Sequence, residues 1–446
     1  MRFTTTKDLL LKKSIASLAA LLIATVAGAQ TSTKDAITLP PAAAPAREPG
    51  SEYTIYLLTM GPGDQVWEKF GHNAIWISDA ATGFNITYHY GLFDFADKDF
   101  IPRFIQGRMR YSMGGFDVTP TVEAYRQTNR MVWAQELNLT PAQRQKLVDF
   151  LLWNNKPENR YYHYDYFRDN CSTRIRDALD VALGGAIKAG SENVPTSSTY
   201  RFHTSRLTQE DWPIFTGTMF GLGEPTDRRI NAWEEMFLPV RMKDRLRSIR
   251  VATATGTEPL VKSERVLVQS TRPPEDAEIH RGMLDYLMIA AVILLIGFGL
   301  WKFGSARGSA AGAVALAALW SVLAGVGGTV LWGLWAFTDH LYSYRNENVL
   351  QLTPLSLILA VLLIRMMWIR RSGAASPRAE ARARSTLKFA RIVAGLSVLG
   401  FVIQVLPAFN QVNGEVIALA LPLHLGVVAL LIALGGSEAT ATPEQV

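Results

Sequence analysis

The chain has 446 residues, of which 48% are hydrophobic and 19% are charged, with a formal net charge of +6 and one cysteine, Cys171. A single cysteine excludes an internal disulfide, so the fold is not a disulfide-stabilised secreted scaffold. The positive charge does not indicate a nucleic-acid partner, because much of the excess lies in one short loop of the C-terminal half.

The N-terminus has the pattern of an export signal. Lys12 and Lys13 precede a short apolar run at 15–26, which ends in small residues. This pattern predicts a secretory signal peptide over residues 1–29, although an uncleaved anchor fits the same run. Residues 30–50 are rich in proline and predict a disordered linker. In an exported protein, the single thiol then points to a function or to pairing with another chain.

Residues 51–245 predict one extracytoplasmic domain of mixed α and β structure. The expected strands are 53–59, 71–77, 85–90, 111–117 and 131–139. His72 lies at the start of the second strand, and His89 lies in the third. Side chains alternate along a strand, so Thr87 and His89 share one face of the third strand. Two neighbouring strands therefore each carry a histidine.

Cys171 stands at the predicted start of a helix. Ile175, Leu179 and Leu183 recur at four-residue spacing after it, and Gly184 follows the pattern. The capping residue types around the cysteine are Asp169, Asn170 and Ser172. A thiol there meets unpaired backbone N–H groups and the positive end of the helix dipole, which favour the thiolate. We interpret Cys171 as a nucleophile; the alternative is a small buried hydrophobic side chain.

A cysteine nucleophile requires a base, and the base requires an orienting group. The histidines of this domain are His72, His89, His163 and His203. The pair on adjacent strands fits best, with His72 as the base and His89 as its partner. Backbone N–H groups at or near Cys171 would hold the oxyanion, with Asp169 and Asn170 in support. The histidines lack metal-ligand spacing, so neither a metal site nor another cofactor is predicted.

From residue 285 onward, the chain changes to apolar segments of membrane-spanning length. The five expected spans are 285–302, 312–336, 350–368, 388–406 and 415–434. The loop after the third span is rich in arginine, which places it in the cytoplasm by the positive-inside rule. Because each span crosses the membrane once, counting from this loop places the Cys171 domain and the loop at 339–348 outside, and the tail at 435–446 in the cytoplasm. A polar connector, 246–284, precedes the first span.

The order of elements differs from that of papain, because the histidine strands precede the cysteine helix. This order resembles the circularly permuted lecithin-retinol acyltransferase and NlpC/P60 groups, many of whose members act on acyl chains. The predicted fold is an α+β papain-like (circularly permuted) extracytoplasmic domain followed by a five-helix transmembrane bundle.

Longer motifs extend the resemblance. They are Leu58-Thr-Met-Gly-Pro-Gly-Asp64, Phe70-Gly-His-Asn-Ala74, Tyr88-His-Tyr-Gly-Leu-Phe-Asp-Phe95, Glu136-Leu-Asn-Leu139, Pro157-Glu-Asn-Arg-Tyr161, Tyr164-Asp-Tyr-Phe-Arg-Asp-Asn-Cys-Ser-Thr-Arg174 and the stretch 338–348. Together they resemble the DUF4105 family of Lnb-type lipoprotein N-acylation transferases. His89 departs from the asparagine that this family more often has there.

The resemblance implies a membrane-bound transacylase. Cys171 would take an acyl chain from the sn-2 ester of a lipoprotein's diacylglyceryl group, and the chain would then pass to the lipoprotein's N-terminal amine. The implied partner is a membrane lipid or lipoprotein, held by the five spans. His340, Asn346 and Asn348 would bind or gate its polar head group at the membrane interface. The oligomeric state stays open.

Two other interpretations remain. One is a membrane-tethered cysteine peptidase or amidase that acts on the cell wall, although a tether needs one helix rather than five. The other is a non-enzymatic membrane protein with an incidental cysteine. The sequence contains no Gly-x-Ser-x-Gly elbow and no His-Glu-x-x-His motif, so serine-hydrolase and zinc-peptidase signatures are missing.

Overall fold

The computed structural model describes residues 48–253, 256–306, 310–371 and 377–439. The predicted signal peptide at 1–29 lies outside these residues, as do most of the linker and most of the C-terminal tail. The described chain forms an α+β domain followed by five long apolar helices.

A seven-stranded antiparallel sheet forms the centre of the N-terminal domain. Its strands are β1 (Thr54–Met60), β2 (His72–Asp79), β3 (Phe84–Leu92), β4 (Arg110–Asp117), β5 (Val132–Leu137), β6 (Tyr161–His163) and β11 (Val261–Val268). The strands outside it are β7 (Pro195–Thr199), β8 (Arg229–Asn231), β9 (Arg250–Thr253) and β10 (Gly256–Pro259). The spatial order is β11-β5-β1-β2-β3-β4-β6. The two histidine strands are therefore neighbours at the centre, as the sequence predicts. The predicted connector supplies β11, which pairs with β5 at the sheet edge.

Helices cover both faces of this sheet. The helices of the domain, not all of which contact the sheet, are α1 (Phe100–Gln106), α2 (Val118–Gln127), α3 (Pro141–Asn154), α4 (Cys171–Ala182), α5 (Ala186–Ala189), α6 (Tyr200–Thr208), α7 (Trp212–Gly221), α8 (Ala232–Glu235) and α9 (Pro239–Leu246). On one face, Ile175 and Leu179 of α4 share a buried cluster with Ile75 and Tyr88. On the other, α2 packs on a smaller cluster that includes Ala74. Burial of these side chains holds the start of α4 against the middle strands.

Five helices of the C-terminal half are long and apolar enough to cross a membrane, which confirms the predicted number of spans within the described residues. They are α10 (Met283–Ala306), α11 (Ala311–Phe337), α12 (Leu355–Arg371), α13 (Pro377–Val402) and α14 (Gly414–Ala439). Small residues allow close helix contacts. A Cβ on Gly325 would lie 2.6 Å from the backbone nitrogen of Leu357, so α11 and the start of α12 meet backbone to backbone.

Side-chain amides join the domain to the membrane helices. Asn346 and Asn348, in the loop between α11 and α12, donate to the Phe220 carbonyl at 2.9 Å and 3.1 Å. Gln411 donates to the Leu222 carbonyl at 3.1 Å. The last carbonyls of a helix lack hydrogen-bond donors within that helix. At the end of α7, side chains of the membrane part supply these donors. The junction is therefore hydrogen-bonded and not only apolar.

Candidate active site

Cys171 is the first residue of α4, as predicted. The Asn170 side-chain oxygen accepts hydrogen bonds from the backbone N–H groups of Ser172 and Thr173, each at 2.9 Å. This cap places the thiol at the helix N-terminus. Asp169 instead forms an ion pair with Arg174, so its carboxylate fixes the first turn of the helix.

The environment of the thiol corrects one prediction. Cys171 is half-buried, and desolvation raises the pKa of its thiol to about 11, whereas the helix start predicted a lowered pKa. Backbone N–H groups of Asn73, Ser172 and Cys171 itself face the sulfur and lower this pKa, but their effect is smaller than that of burial. The thiol is therefore protonated at neutral pH and depends on a base for its reactivity.

His72 and His89 form a hydrogen-bonded pair. His72 Nε2 lies 3.0 Å from His89 Nδ1, and the two rings are nearly parallel. His72 is half-buried at the start of β2, while His89 is buried behind it on β3. Burial lowers the pKa of His72 well below its usual value and lowers the pKa of His89 to about 4. Both rings are therefore neutral at pH 7, as a base and its orienting partner must be.

The hydrogen bonds behind this pair assign its tautomers. Thr87 Oγ1 donates to the Phe116 carbonyl at 2.9 Å, and its own oxygen lies 3.0 Å from His89 Nε2. Because the carbonyl can only accept, the Thr87 oxygen accepts from His89 Nε2–H. His89 Nδ1 then accepts from His72 Nε2–H, which leaves the lone pair of His72 on Nδ1. This chain ends in a ring nitrogen that is free to take a proton.

The thiol and the histidine pair both lie near the start of β2. The Asn73 side chain faces α4 and contacts the Ser172 hydroxyl at 3.0 Å. His72 and His89 project from the opposite face of the sheet, since alternate side chains point to opposite faces. Within the described residues, the sulfur reaches this strand at the Asn73 N–H and forms no hydrogen bond to an imidazole. Catalytic hydrogen bonds are often loose before substrate binds.

Two residues near the site were not singled out from the sequence. Arg130 is buried, pairs with Glu68 at 3.0 Å, and carries a charge that lowers the pKa of both Cys171 and His72. No local sequence signal identifies it. The second residue is Thr87. The alternation of side chains along β3, which places Thr87 on the same face as His89, could have identified it.

The remaining histidines of the domain lie elsewhere. His163 is exposed, and its ring contacts the Gly107 carbonyl at 3.1 Å. His203 is buried and lies 2.9 Å from the Glu235 carboxylate, in a separate polar cluster. Neither belongs to the group around Cys171.

The three residues predicted at the membrane interface separate into two places. Asn346 and Asn348 are buried in the junction with α7, where their amide groups bind backbone carbonyls. His340 is half-buried, and its Nε2 lies 2.9 Å from the Phe104 carbonyl of α1. Its ring lies parallel to that of Tyr166, whose carbonyl accepts from Asn170. Head-group binding stays a prediction for all three residues.

Comparison with known proteins gives one match. The family model described as the Lnb N-terminal periplasmic domain matches residues 46–206, a range that contains Cys171, His72 and His89. No curated protein and no solved structure matches the chain. The match and the five apolar helices support an Lnb-like protein of the inner membrane.

Proposed function

We propose that this protein is a membrane-bound cysteine acyltransferase that moves an acyl chain through a Cys171 thioester. One observation carries the proposal: a helix-start cysteine lies at the same strand end as a hydrogen-bonded pair of neutral histidines. The domain that holds them is hydrogen-bonded onto five apolar helices, which a hydrolase of soluble substrates would not need.

The donor is the sn-2 ester of a lipoprotein's diacylglyceryl group, and the acceptor is the N-terminal amine of the same lipoprotein. The resemblance to the DUF4105 family and the match to the Lnb periplasmic domain support this choice. The fold assignment in this proposal is the circularly permuted papain-like arrangement, because the strands of His72 and His89 precede the helix of Cys171.

The first half-reaction forms the thioester. Cys171 Sγ attacks the ester carbonyl carbon while its proton passes to His72 Nδ1. The bond to the sn-2 oxygen then breaks, and His72 returns the proton to that oxygen, which leaves as the hydroxyl of a lyso-lipid. His89 keeps the base in the required tautomer throughout, and this role does not require it to ionise.

The second half-reaction forms the amide. The lipoprotein's amine attacks the thioester carbonyl and loses a proton to His72, and the Cys171 thiol leaves with a proton restored. No oxidant or metal takes part in this sequence of bonds. The N–H groups of Cys171 and Asn73, which face the sulfur, are suited to stabilise the oxyanion in both halves, and the nearby Arg130 charge adds to this field.

The test uses the full chain in lipid nanodiscs with a synthetic diacylglyceryl-cysteine peptide. We expect tandem mass spectrometry to find the acyl chain moved from the sn-2 oxygen to the amine, with the total mass of the peptide unchanged. A quenched reaction should also contain Cys171 with one added acyl group, and hydroxylamine should remove it. Cys171→Ala should lose both products.

The matched control is His280→Ala, since His280 is an exposed histidine of the connector, outside the site and away from α1. It should retain transfer, whereas His72→Ala should lose it. Transfer at full rate by Cys171→Ala would overturn the proposal. Release of free fatty acid without amide formation would make the protein a hydrolase, and cleavage of purified cell wall would favour the peptidase or amidase.

A further inference from the structure

Helix α1 carries an apolar stripe that faces solvent. Ile101, Phe104 and Ile105 stand at i, i+3 and i+4, so they share one face of the helix. Their exposed fractions are 57%, 44% and 60%. A soluble domain would normally turn such a stripe toward its core, so this face fits an apolar partner outside the domain.

The stripe lies at the outer end of a membrane span. Asp339 donates its backbone N–H to the Gln106 carbonyl at 2.8 Å, and its carboxylate pairs with Arg108 at 2.5 Å. Asp339 follows α11 by two residues, and the last residue of that helix, Phe337, is 85% exposed. The exposed Trp332 and Trp335 precede it, as is usual where a span leaves the bilayer. The hydrogen bond and the ion pair therefore hold α1 beside the end of this candidate span.

Aromatic rings connect this stripe with the nucleophile. Phe104 stacks on Phe100 at 6.5 Å, Phe100 on Tyr111 at 6.5 Å, and Tyr111 on Tyr164 at 4.2 Å. Tyr164 is near enough to Cys171 for the two groups to interact electrostatically. These rings form a row of successive aromatic contacts that runs from α1 toward the thiol, and we call it the aromatic path.

A cavity lies beside the aromatic path. Its volume is about 340 Å³, and its wall combines aromatic side chains with charged ones, namely Phe93, Phe100, Tyr161, Asp94, Asp97, Arg103 and Arg110. It also reaches Leu92, the residue after Gly91, and a Cβ on Gly91 would contact the Cys171 Cβ at 3.4 Å. The structure therefore has open space beside the rings, and charged groups form part of its wall.

We propose that α1 inserts its apolar stripe into the outer leaflet of the membrane that holds the five spans, and that the aromatic path admits the acyl donor from that leaflet to Cys171. The first part concerns location alone. The second part rests on the proposed function, because it assumes that the donor is a membrane-embedded ester.

The location can be measured without any activity. The chain's single cysteine is replaced by Cys171→Ala, and a new one is introduced by Ile105→Cys for an environment-sensitive fluorophore. The matched control is Ala81→Cys, in the exposed turn that joins β2 to β3 at the opposite end of these strands. In nanodiscs that contain spin-labelled phospholipid, we expect a blue-shifted, quenched signal at position 105 and neither effect at 81. Equal signals at the two positions would overturn the insertion.

Access is tested by the double variant Ile101→Ser and Ile105→Ser. Loss of two apolar side chains from the leaflet should raise KM for the diacylglyceryl peptide on the order of tenfold, with kcat nearly unchanged. Val181→Ser, which alters an exposed apolar residue at the far end of α4, should change neither constant. An unchanged KM in the double variant would refute the access route. A wild-type chain without acyl transfer would refute the proposed function, and the fluorescence result would still decide the location.

Discussion

A threonine hydroxyl controls the protonation pattern of the two histidines. Thr87 lies between an obligatory acceptor, the Phe116 carbonyl, and His89 Nε2. If the hydroxyl is removed, His89 can turn to the other tautomer without an unpaired N–H. Its Nδ1–H would then donate to His72 Nε2, and the His72 proton would move to Nδ1, where the base needs a lone pair. Thr87 is thus a positioning residue that acts through two rings.

We predict that Thr87→Val lowers kcat for acyl transfer by about 10- to 100-fold, because a base in the wrong tautomer loses part of the 10²- to 10⁴-fold that general-base catalysis contributes. KM should change little. Thr87→Ser restores the hydroxyl and should restore most of the rate. Alkylation of Cys171 by iodoacetamide at pH 9 proceeds through the free thiolate, so it should be equal in all three proteins. A Thr87→Ser protein as slow as Thr87→Val would argue against the relay.

The raised pKa of Cys171 gives a second prediction. Below its pKa, the thiolate fraction of a cysteine rises about tenfold for each pH unit. With a pKa of about 11, alkylation by iodoacetamide should still rise with this slope between pH 7 and pH 9. The rate constant is measured by the mass of the modified chain, and Cys171→Ala reports any labelling elsewhere. A rate that is already constant above pH 7 would mean a preformed thiolate and would contradict the structure.

The residues of the site were more predictable from the sequence than their ionisation. A lone cysteine among capping residues and two histidines on consecutive strands are local patterns, and they mark Cys171, His72 and His89 as candidates. The pKa of Cys171 is not local, since it depends on desolvation by the sheet beneath the helix as well as on the helix dipole. Arg130 likewise approaches the site only through the fold.

At the scale of elements, strong local signals correspond to real boundaries. Thr140, followed by Pro141 and Gln143, has the residue pattern of a helix start, and its hydroxyl accepts from the Gln143 N–H at 3.3 Å and caps α3. The pairing of β11 with β5 could not be read from local pattern, because a gap of more than 120 residues separates them. The position of α1 against residues 339–340 could not be predicted from local pattern either, since it depends on how the domain contacts the membrane helices.

Gly107 makes that position of α1 possible. Its φ is +74°, and a Cβ there would lie 2.7 Å from the backbone nitrogen of His340. Gly107→Ala therefore combines left-handed backbone strain with a clash. Gly83→Ala is the matched control, since Gly83 has a φ of +77° and no atom of the described residues lies within 4 Å of the added Cβ. Each variant should lose about 1–2 kcal/mol from the backbone term.

We predict that Gly107→Ala is the less stable variant in thermal unfolding of the full chain in nanodiscs. It should also weaken lipid quenching of the label at position 105, because the clash moves α1 away from the loop. Equal melting temperatures and equal quenching for the two glycine variants would show that this contact is not close in solution.

Transfer from a membrane-borne donor requires that the domain stay at a fixed height above the membrane helices. Amides of the α11–α12 loop bind the carbonyls that end α7, and Arg201 and Asp227 form a buried ion pair beside them. Asn346 is central, because it also accepts from the Gln411 side chain at 3.2 Å. A hydrogen-bonded junction specifies orientation, whereas an apolar contact alone would let the domain slide.

Asn346→Leu tests this junction, because leucine has a similar size and can neither donate nor accept. It removes the Asn346 donor from the carbonyls of Phe220 and Gly221. Asn348 still donates to Phe220, so the cost of about 1–3 kcal/mol for an unpaired buried group falls on the Gly221 carbonyl. We predict a lower melting temperature and a loss of transfer from the membrane-borne donor, while alkylation of Cys171 at pH 9 keeps its wild-type rate. Asn193→Leu, at an exposed position, should change none of these quantities. Loss of alkylation together with transfer would mean that Asn346 supports the fold of the catalytic domain, and loss of transfer alone would mean that it holds an intact site at the membrane.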